Sequence, residues 1–272
     1  MRWLRTKLYQ VLARQLTKPR GRYHLAYPNN AAALQAALQP ADVLLVDGDQ
    51  RISIVIQCLT QSSWSHAALY VGDEPWRRWP ERRPELEARF GADARALLVE
   101  ALLEGVVLAP LSKYLSQNLR ICRAQGLRPE HARRVVDEVL AQLGAGYDVR
   151  NLLELARYFF PVTVIPRRFR RRALELGSPL TREVICSAMI ARAFHNVGFP
   201  ILPEVSWREA PQHQGWLSRL RIVRAPYPAV FRHEPPRLVT PRDFDLSPFF
   251  AVVKPNGLAV PRFDYRRIRW AS

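Results

Sequence analysis

The chain has 272 residues and a mass of 31.3 kDa, with 48% apolar residues, 24% charged residues and a mean hydropathy of −0.18. That composition excludes a disordered, collagenous or mucin-like chain, and no run of ~20 uninterrupted apolar residues is present to form a spanning helix. The formal net charge of +17 points towards an anionic partner, although only Lys7, Lys18, Lys113 and Lys254 of the 41 basic residues are lysines, an arginine excess that compositional bias alone produces.

Residues 1–18 predict a helix, with Trp3, Leu4, Leu8, Val11, Leu12 and Leu16 apolar and bases between them. No acid precedes Asp42, so residues 1–22 form a basic arm. Neither a continuous apolar core nor a small-residue cleavage site follows, which predicts a cytoplasmic chain. Two placements stay open for the helix: packed on the domain, or lying peripherally on an anionic surface such as the inner membrane.

From Asp42 the pattern changes. Asp42–Val46 reads as a strand closed by Asp47-Gly48-Asp49, Ile52–Thr60 as a helix, and Ser65–Val71 as a strand ending at Gly72. Trp76–Asp93 is rich in Arg, Glu and Pro and reads as a surface insertion. Leu97–Leu102, Gly105–Leu108 and Leu119–Arg123 read as three more strands. Pro129 opens an amphipathic helix that stops at Gly144-Ala145-Gly146, and Asn151–Phe160 and Val184–Val197 predict two further helices, the last capped by Gly198. Near the end, Phe249–Val253 and Leu258–Val260 predict a hairpin across Pro255-Asn256-Gly257. The order of elements implies an α+β fold, an antiparallel sheet packed against helices.

Three residues stand out chemically. Cys186 begins an amphipathic helix, where free N–H groups and the helix dipole favour a thiolate; the alternative is an inert core cysteine. His66 shares a strand face with Ala68 and Tyr70, either as a satisfied core histidine or as a base. Glu100 lies mid-strand between Val99 and Ala101, where an unpaired carboxylate is costly, so it needs an arginine or an imidazole as partner. Cys, His and Glu together supply a nucleophile, a base and an orienting acid. Cys58, within a helix, and Cys122, within a strand, read as structural. Three cysteines, odd in number and far apart, do not make a disulfide framework and point to a reducing compartment or to chemistry at one of them.

The stretch Ala41–Val46, Arg51-Ile52-Ser53 and Leu59–Gly72, with Val99-Glu100-Ala101, Gly105-Val106, Gly146-Tyr147-Asp148 and Ile185–Phe194, resembles the circularly permuted branch of the papain-like NlpC/P60 superfamily. In that branch the histidine strand comes first and the cysteine helix last. The nearest likeness is to the YiiX/YebB type and the proteobacterial "lipo-like" proteins, whose ending Pro241–Phe250 resembles. The resemblance implies a thiol hydrolase or acyltransferase with Cys186 as nucleophile, His66 as general base and Glu100 as orienting acid, acting on a peptide, amide or acyl-lipid substrate. It implies a basic N-terminal helix and linker over 1–40, a catalytic domain over 41–205 and a Pro/Trp-rich extension over 206–272. Trp64, Tyr70, Tyr147 and Ser187 are the candidates for the substrate cleft, Tyr147 alternatively packing beneath the cysteine helix. The glutamine that helps form papain's oxyanion hole has no placeable equivalent, leaving the backbone N–H of Cys186 as the candidate donor.

Other classes fit less well. His24, His131, His195, His213 and His233 are scattered without ligand spacing, so neither a metal nor another cofactor is expected. A non-catalytic protein binding nucleic acid or a membrane surface would use the N-terminal bases and the run Arg167–Arg172, yet no recognised nucleic-acid motif accompanies them. The oligomeric state is not legible.

Overall fold

The computed structural model describes residues 17–21, 23–26, 28–102, 105–145, 185–207, 229–255 and 266. The strands are β1 (Val43–Asp47), β2 (His66–Gly72), β3 (Leu97–Leu102), β4 (Gly105–Pro110) and β5 (Asn118–Ala124), then β6 (Glu204–Trp207), β7 (Ala229–Arg232) and β8 (Phe250–Val253). Six of them form one sheet in the order β4-β3-β2-β1-β5-β8, every neighbouring pair antiparallel, while β6 and β7 pair separately. The helices are α1 (Ala31–Ala37), α2 (Arg51–Thr60), α3 (Glu74–Arg78), α4 (Arg83–Phe90), α5 (Pro129–Leu140), α6 (Ile185–Asn196) and α7 (Pro241–Leu246).

β1 is apolar at four successive positions because both faces of the sheet are covered. Val43, Leu44, Leu45 and Val46 are all fully buried. Pairing of Val46 with His66 and of Leu69 with Val99 fixes the register. His66, Ala68 and Tyr70 therefore share one face with Leu98 and Glu100, and Ala67, Leu69 and Val71 share the other with Leu97 and Val99. On the second face, Val135, Val136, Val139 and Leu140 of α5 and Met189, Ile190, Ala193 and Phe194 of α6 close the main core. On the first, Leu34, Leu38, Leu111 and Tyr114 cover Leu44, Val46, Ala68, Tyr70 and Leu98. α5 starts on a proline at its first position, where the missing N–H costs nothing, and buries a single valine and leucine stripe.

The C-terminal part is built into this core. Val239, Phe244 and Phe250 are buried in it, β8 pairs with β5, and the Phe194 ring packs against Phe199, Phe244 and Phe250. A capping box at Thr240 and Asp243 starts α7. Ser247 Oγ donates to the Ile201 carbonyl, joining the segment after α7 to the turn after α6.

One expectation is refined and one needs correction. Trp76–Asp93 lies at the surface with most of its residues exposed, and α3 and α4 anchor it there by burying Leu86 and packing Trp76 and Trp79 on the main core. Thr17 and Lys18 do not continue a helix; they are bends, and Pro19 bridges to Gln50. The remainder of the N-terminal helix, Tyr147, the helix over Asn151–Phe160, the run Arg167–Arg172 and the strand Leu258–Val260 lie outside the described residues.

Candidate active site

His66 is the first residue of β2, at the rim of the sheet, and Glu100 lies on the same face in the neighbouring strand. Their side chains meet, His66 Nε2 to Glu100 Oε2, at 2.8 Å. Cys186 lies beside the same imidazole, close enough for the sulfur and the ring to shift each other's proton affinity. Cys186 arrives in the first turn of α6, whose apolar stripe lies on the opposite face; only a residue at a strand end can meet groups from both faces. The nearby backbone N–H groups of Ala67 and Ser187 also favour the anionic form of the sulfur.

Glu100 has no solvent exposure, and both its oxygens are engaged. Besides His66, Oε2 accepts the Tyr114 hydroxyl, and Oε1 accepts Lys113 Nζ. Lys113 and Tyr114 end the single 3-10 turn Leu111–Tyr114 that follows β4, and this turn folds back over the carboxylate. The Tyr114 ring stands 6.1 Å from the His66 ring. The sequence alternatives for Glu100 are thus decided in favour of an imidazole, with a lysine in place of an arginine.

The electrostatics follow. Burial opposes charge on the His66 imidazole, but the Cys186 sulfur and then Glu100 outweigh it and carry its pKa up to about 10. Burial likewise opposes a Cys186 thiolate, and His66 together with the two backbone N–H groups overcomes it, leaving the thiol below its usual range. Burial would raise Glu100 as well, yet His66 and Lys113 hold it down to about 2. Tyr114 is pushed well above its usual value by burial and the adjacent carboxylate, so it stays a donor. His66 and Glu100 are thereby held as a charged pair, and the Cys186 thiol is shifted towards its thiolate.

The other candidates are distributed differently. Trp64 precedes the histidine strand, its indole N–H donating to Asp245 Oδ2 at 2.9 Å and the Arg120 guanidinium lying 5.0 Å over its ring. It lines a cleft of about 240 Å³ with Asn29, Leu34, Asn118, Ile121 and Pro255, which includes none of the three central residues. Ser187 does not face a cleft: it is fully buried, and its hydroxyl donates to the Val239 carbonyl at 2.6 Å. Tyr70 is not brought to the site either. It lies four residues along β2, roughly 13 Å from His66, inside the core under Leu34 and Leu38. Cys122 is fully buried in β5, and burial pushes its thiol up to about 12.

Gly48 supports the histidine strand from below. Its N–H donates to Ser65 Oγ at 2.9 Å, and a Cβ there would stand 2.3 Å from Ser53 Oγ. Among the described residues no group of three or more His, Cys, Asp or Glu is placed to hold a metal ion, and no helix is long and apolar enough to cross a membrane.

Residues 37–164 match a family model described as permuted papain-like amidase enzymes, the YaeF/YiiX or C92 family. This part of the chain is permuted papain-like. The match covers just under half of the chain; it contains His66, Glu100, Lys113 and Tyr114 and ends before Cys186. Among solved structures, the chain is similar to the metalloprotein yiiX from Escherichia coli O157:H7 at 14% identity, over 79% of this chain and 96% of that one, with a TM-score of 0.41. No curated protein matches. The matched family is one of papain-like amidases, which supports a cysteine hydrolase acting on amide bonds.

Lys113 and Tyr114 were not singled out from the sequence. One signal was available for the lysine. In a chain that writes nearly every base as arginine, a lysine just after a strand pair marks a position where a compact point charge is kept.

Proposed function

We propose that this chain is a cysteine amidase in which Cys186 is the nucleophile, His66 the general base and acid, and Glu100 the group that orients the imidazole. The thiolate attacks the carbonyl carbon of an amide, forming the S–C bond. The backbone N–H of Cys186, in the first turn of α6, is the donor assigned to the developing oxyanion. As the C–N bond breaks, the His66 imidazolium gives its proton to the departing amine, leaving a thioester. A water molecule then attacks that thioester while His66 takes its proton; the carboxylic acid departs and the thiolate–imidazolium pair is restored. The observation that carries this reading is that one imidazole contacts both the Cys186 sulfur and the buried Glu100 carboxylate.

The substrate class that this supports best is a peptide or a small amide. A second reading, transfer or removal of an acyl chain on a lipid at the cytoplasmic face of a membrane, rests on the bases of residues 1–22. Iodoacetamide labelling of the full chain near neutral pH tests the nucleophile: Cys186 is expected to react well before Cys58 and Cys122, and His66→Ala to slow it. Equal labelling of all three thiols overturns the assignment. Deleting residues 1–20 separates the substrate readings. Loss of binding to anionic vesicles, with labelling of Cys186 unchanged, favours the lipid; unchanged or absent vesicle binding favours the amide.

A further inference from the structure

Glu100 and Cys186 place two anions on a single imidazolium, and the carboxylate is wholly enclosed. A buried cluster left with one net negative charge is costly. An imidazolium held by two anions also binds its proton too firmly to surrender it to a leaving amine. The groups that face this cluster among the described residues are His66 from β2, Lys113 and Tyr114 from the 3-10 turn and Cys186 from α6. Of these, only Lys113 can supply a second positive charge. Its Nζ contacts the oxygen of Glu100 that the histidine does not use. It is 39% exposed, so it delivers that charge from the solvent side without having to be buried itself.

We propose that Lys113 is a positioning residue of the site: its ammonium group is the counter-charge that makes the Cys186–His66–Glu100 cluster electroneutral and keeps the His66 imidazolium acidic enough to act as a proton donor. This rests on the reading of Cys186 as the nucleophile. Tyr114 completes the arrangement without changing the charge, because its hydroxyl donates to the same oxygen as His66 Nε2 and fixes where that oxygen points. The two side chains divide the carboxylate between them, one oxygen given to charge balance and one to geometry.

The sulfur and imidazole titrate as a pair in two steps, thiolate formation and then loss of the imidazolium proton. Removing a positive charge beside Glu100 disfavours the anion and favours the cation, so both steps rise. The experiment follows thiolate absorbance near 240 nm, with Cys186→Ser as the blank, and the His66 imidazole by NMR, across pH in the full chain. Lys113→Met and Lys113→Gln are each expected to move both steps up by about one pH unit, and Lys113→Arg to return them. Lys113→Gln keeps a hydrogen-bond donor without the charge, so wild-type steps in that variant overturn the charge argument. A merely structural lysine would lower thermal stability in all three variants and leave both steps in place, which also overturns it. If wild-type Cys186 forms no thiolate below the ordinary thiol range, the nucleophile reading fails instead. Wild-type thiolate with unshifted Lys113 variants defeats the lysine inference alone.

Discussion

Glu100→Gln probes the site most sharply, because each carboxylate oxygen already accepts a donor. A glutamine offers one acceptor and one amide. Whichever way it turns, its NH2 must face either the Lys113 ammonium or the hydroxyl and imidazole N–H of Tyr114 and His66. In the native protein the carboxyl is held down to about 2 from an ordinary 4.5, and this differential stabilisation corresponds to about 3 kcal/mol at neutral pH. A group whose pKa is lowered by folding contributes stability that is present above its unfolded value and fades as the pH falls towards the folded one. The wild type should therefore exceed Glu100→Gln by about 3 kcal/mol at pH 7, a difference of roughly 6–12 °C in Tm for a chain of this size. At pH 3.5, one unit below the unfolded value, the gap should shrink by about 1.4 kcal/mol. Paired thermal melts at the two pH values measure it. A gap that is absent, or that stays constant between pH 7 and 3.5, would show that the buried carboxylate is not the ionised centre of this network. The same variant should slow iodoacetamide labelling of Cys186 at neutral pH, because the imidazolium loses its orienting partner.

The remaining predictions concern the frame around the site. Gly48→Ala should destabilise the protein by about 1–3 kcal/mol, since the new methyl group collides with Ser53 Oγ beneath the start of β2; unchanged denaturant unfolding would refute the contact. Ser187→Ala should cost about 1 kcal/mol by leaving the buried Val239 carbonyl unpaired, measured as a lower urea midpoint at constant m-value.

How much of this was legible in the sequence depended on whether a feature was local. β1 announced itself through four successive apolar residues, β2 through its alternation, and α5 through Pro129 and its valine stripe. The shared face of His66 and Glu100 followed from strand parity once the two strands were taken as neighbours. Lys113 was hidden because its role depends on where a short 3-10 turn aims after β4 ends, which no periodicity encodes. Tyr70 misled for the converse reason. Parity places it on the face of His66 and Glu100, but Leu34 and Leu38 cover that face farther along the strand and turn it into core. In Trp76–Asp93 the many arginines and glutamates obscured Leu86, which with Trp76 and Trp79 packs the segment on the core. Ser187, a candidate for the substrate cleft because it follows Cys186, is buried instead, and its hydroxyl ties the cysteine helix to the C-terminal segment.

The order of the pieces along the chain gives the site a particular logic. His66, Glu100, Lys113 and Tyr114 all belong to β2, β3 and the turn after β4, so one continuous stretch of sheet assembles the imidazole, the carboxylate and the ammonium group. Taken alone, that stretch offers one anion to two groups able to carry positive charge, and burial then favours a neutral imidazole. Cys186 comes from a distant segment and reaches the rim only when α6 seats its apolar stripe on β2 and β3 and Ser187 anchors to Val239. Beside the imidazole the thiol is shifted towards its anion and the imidazole towards its cation, and on the proposed reading that second anion closes the charge balance with Lys113. On the proposed reading, the apolar core of α6 is therefore as much a determinant of thiol reactivity as the histidine itself, because that packing is what brings Cys186 to the imidazole.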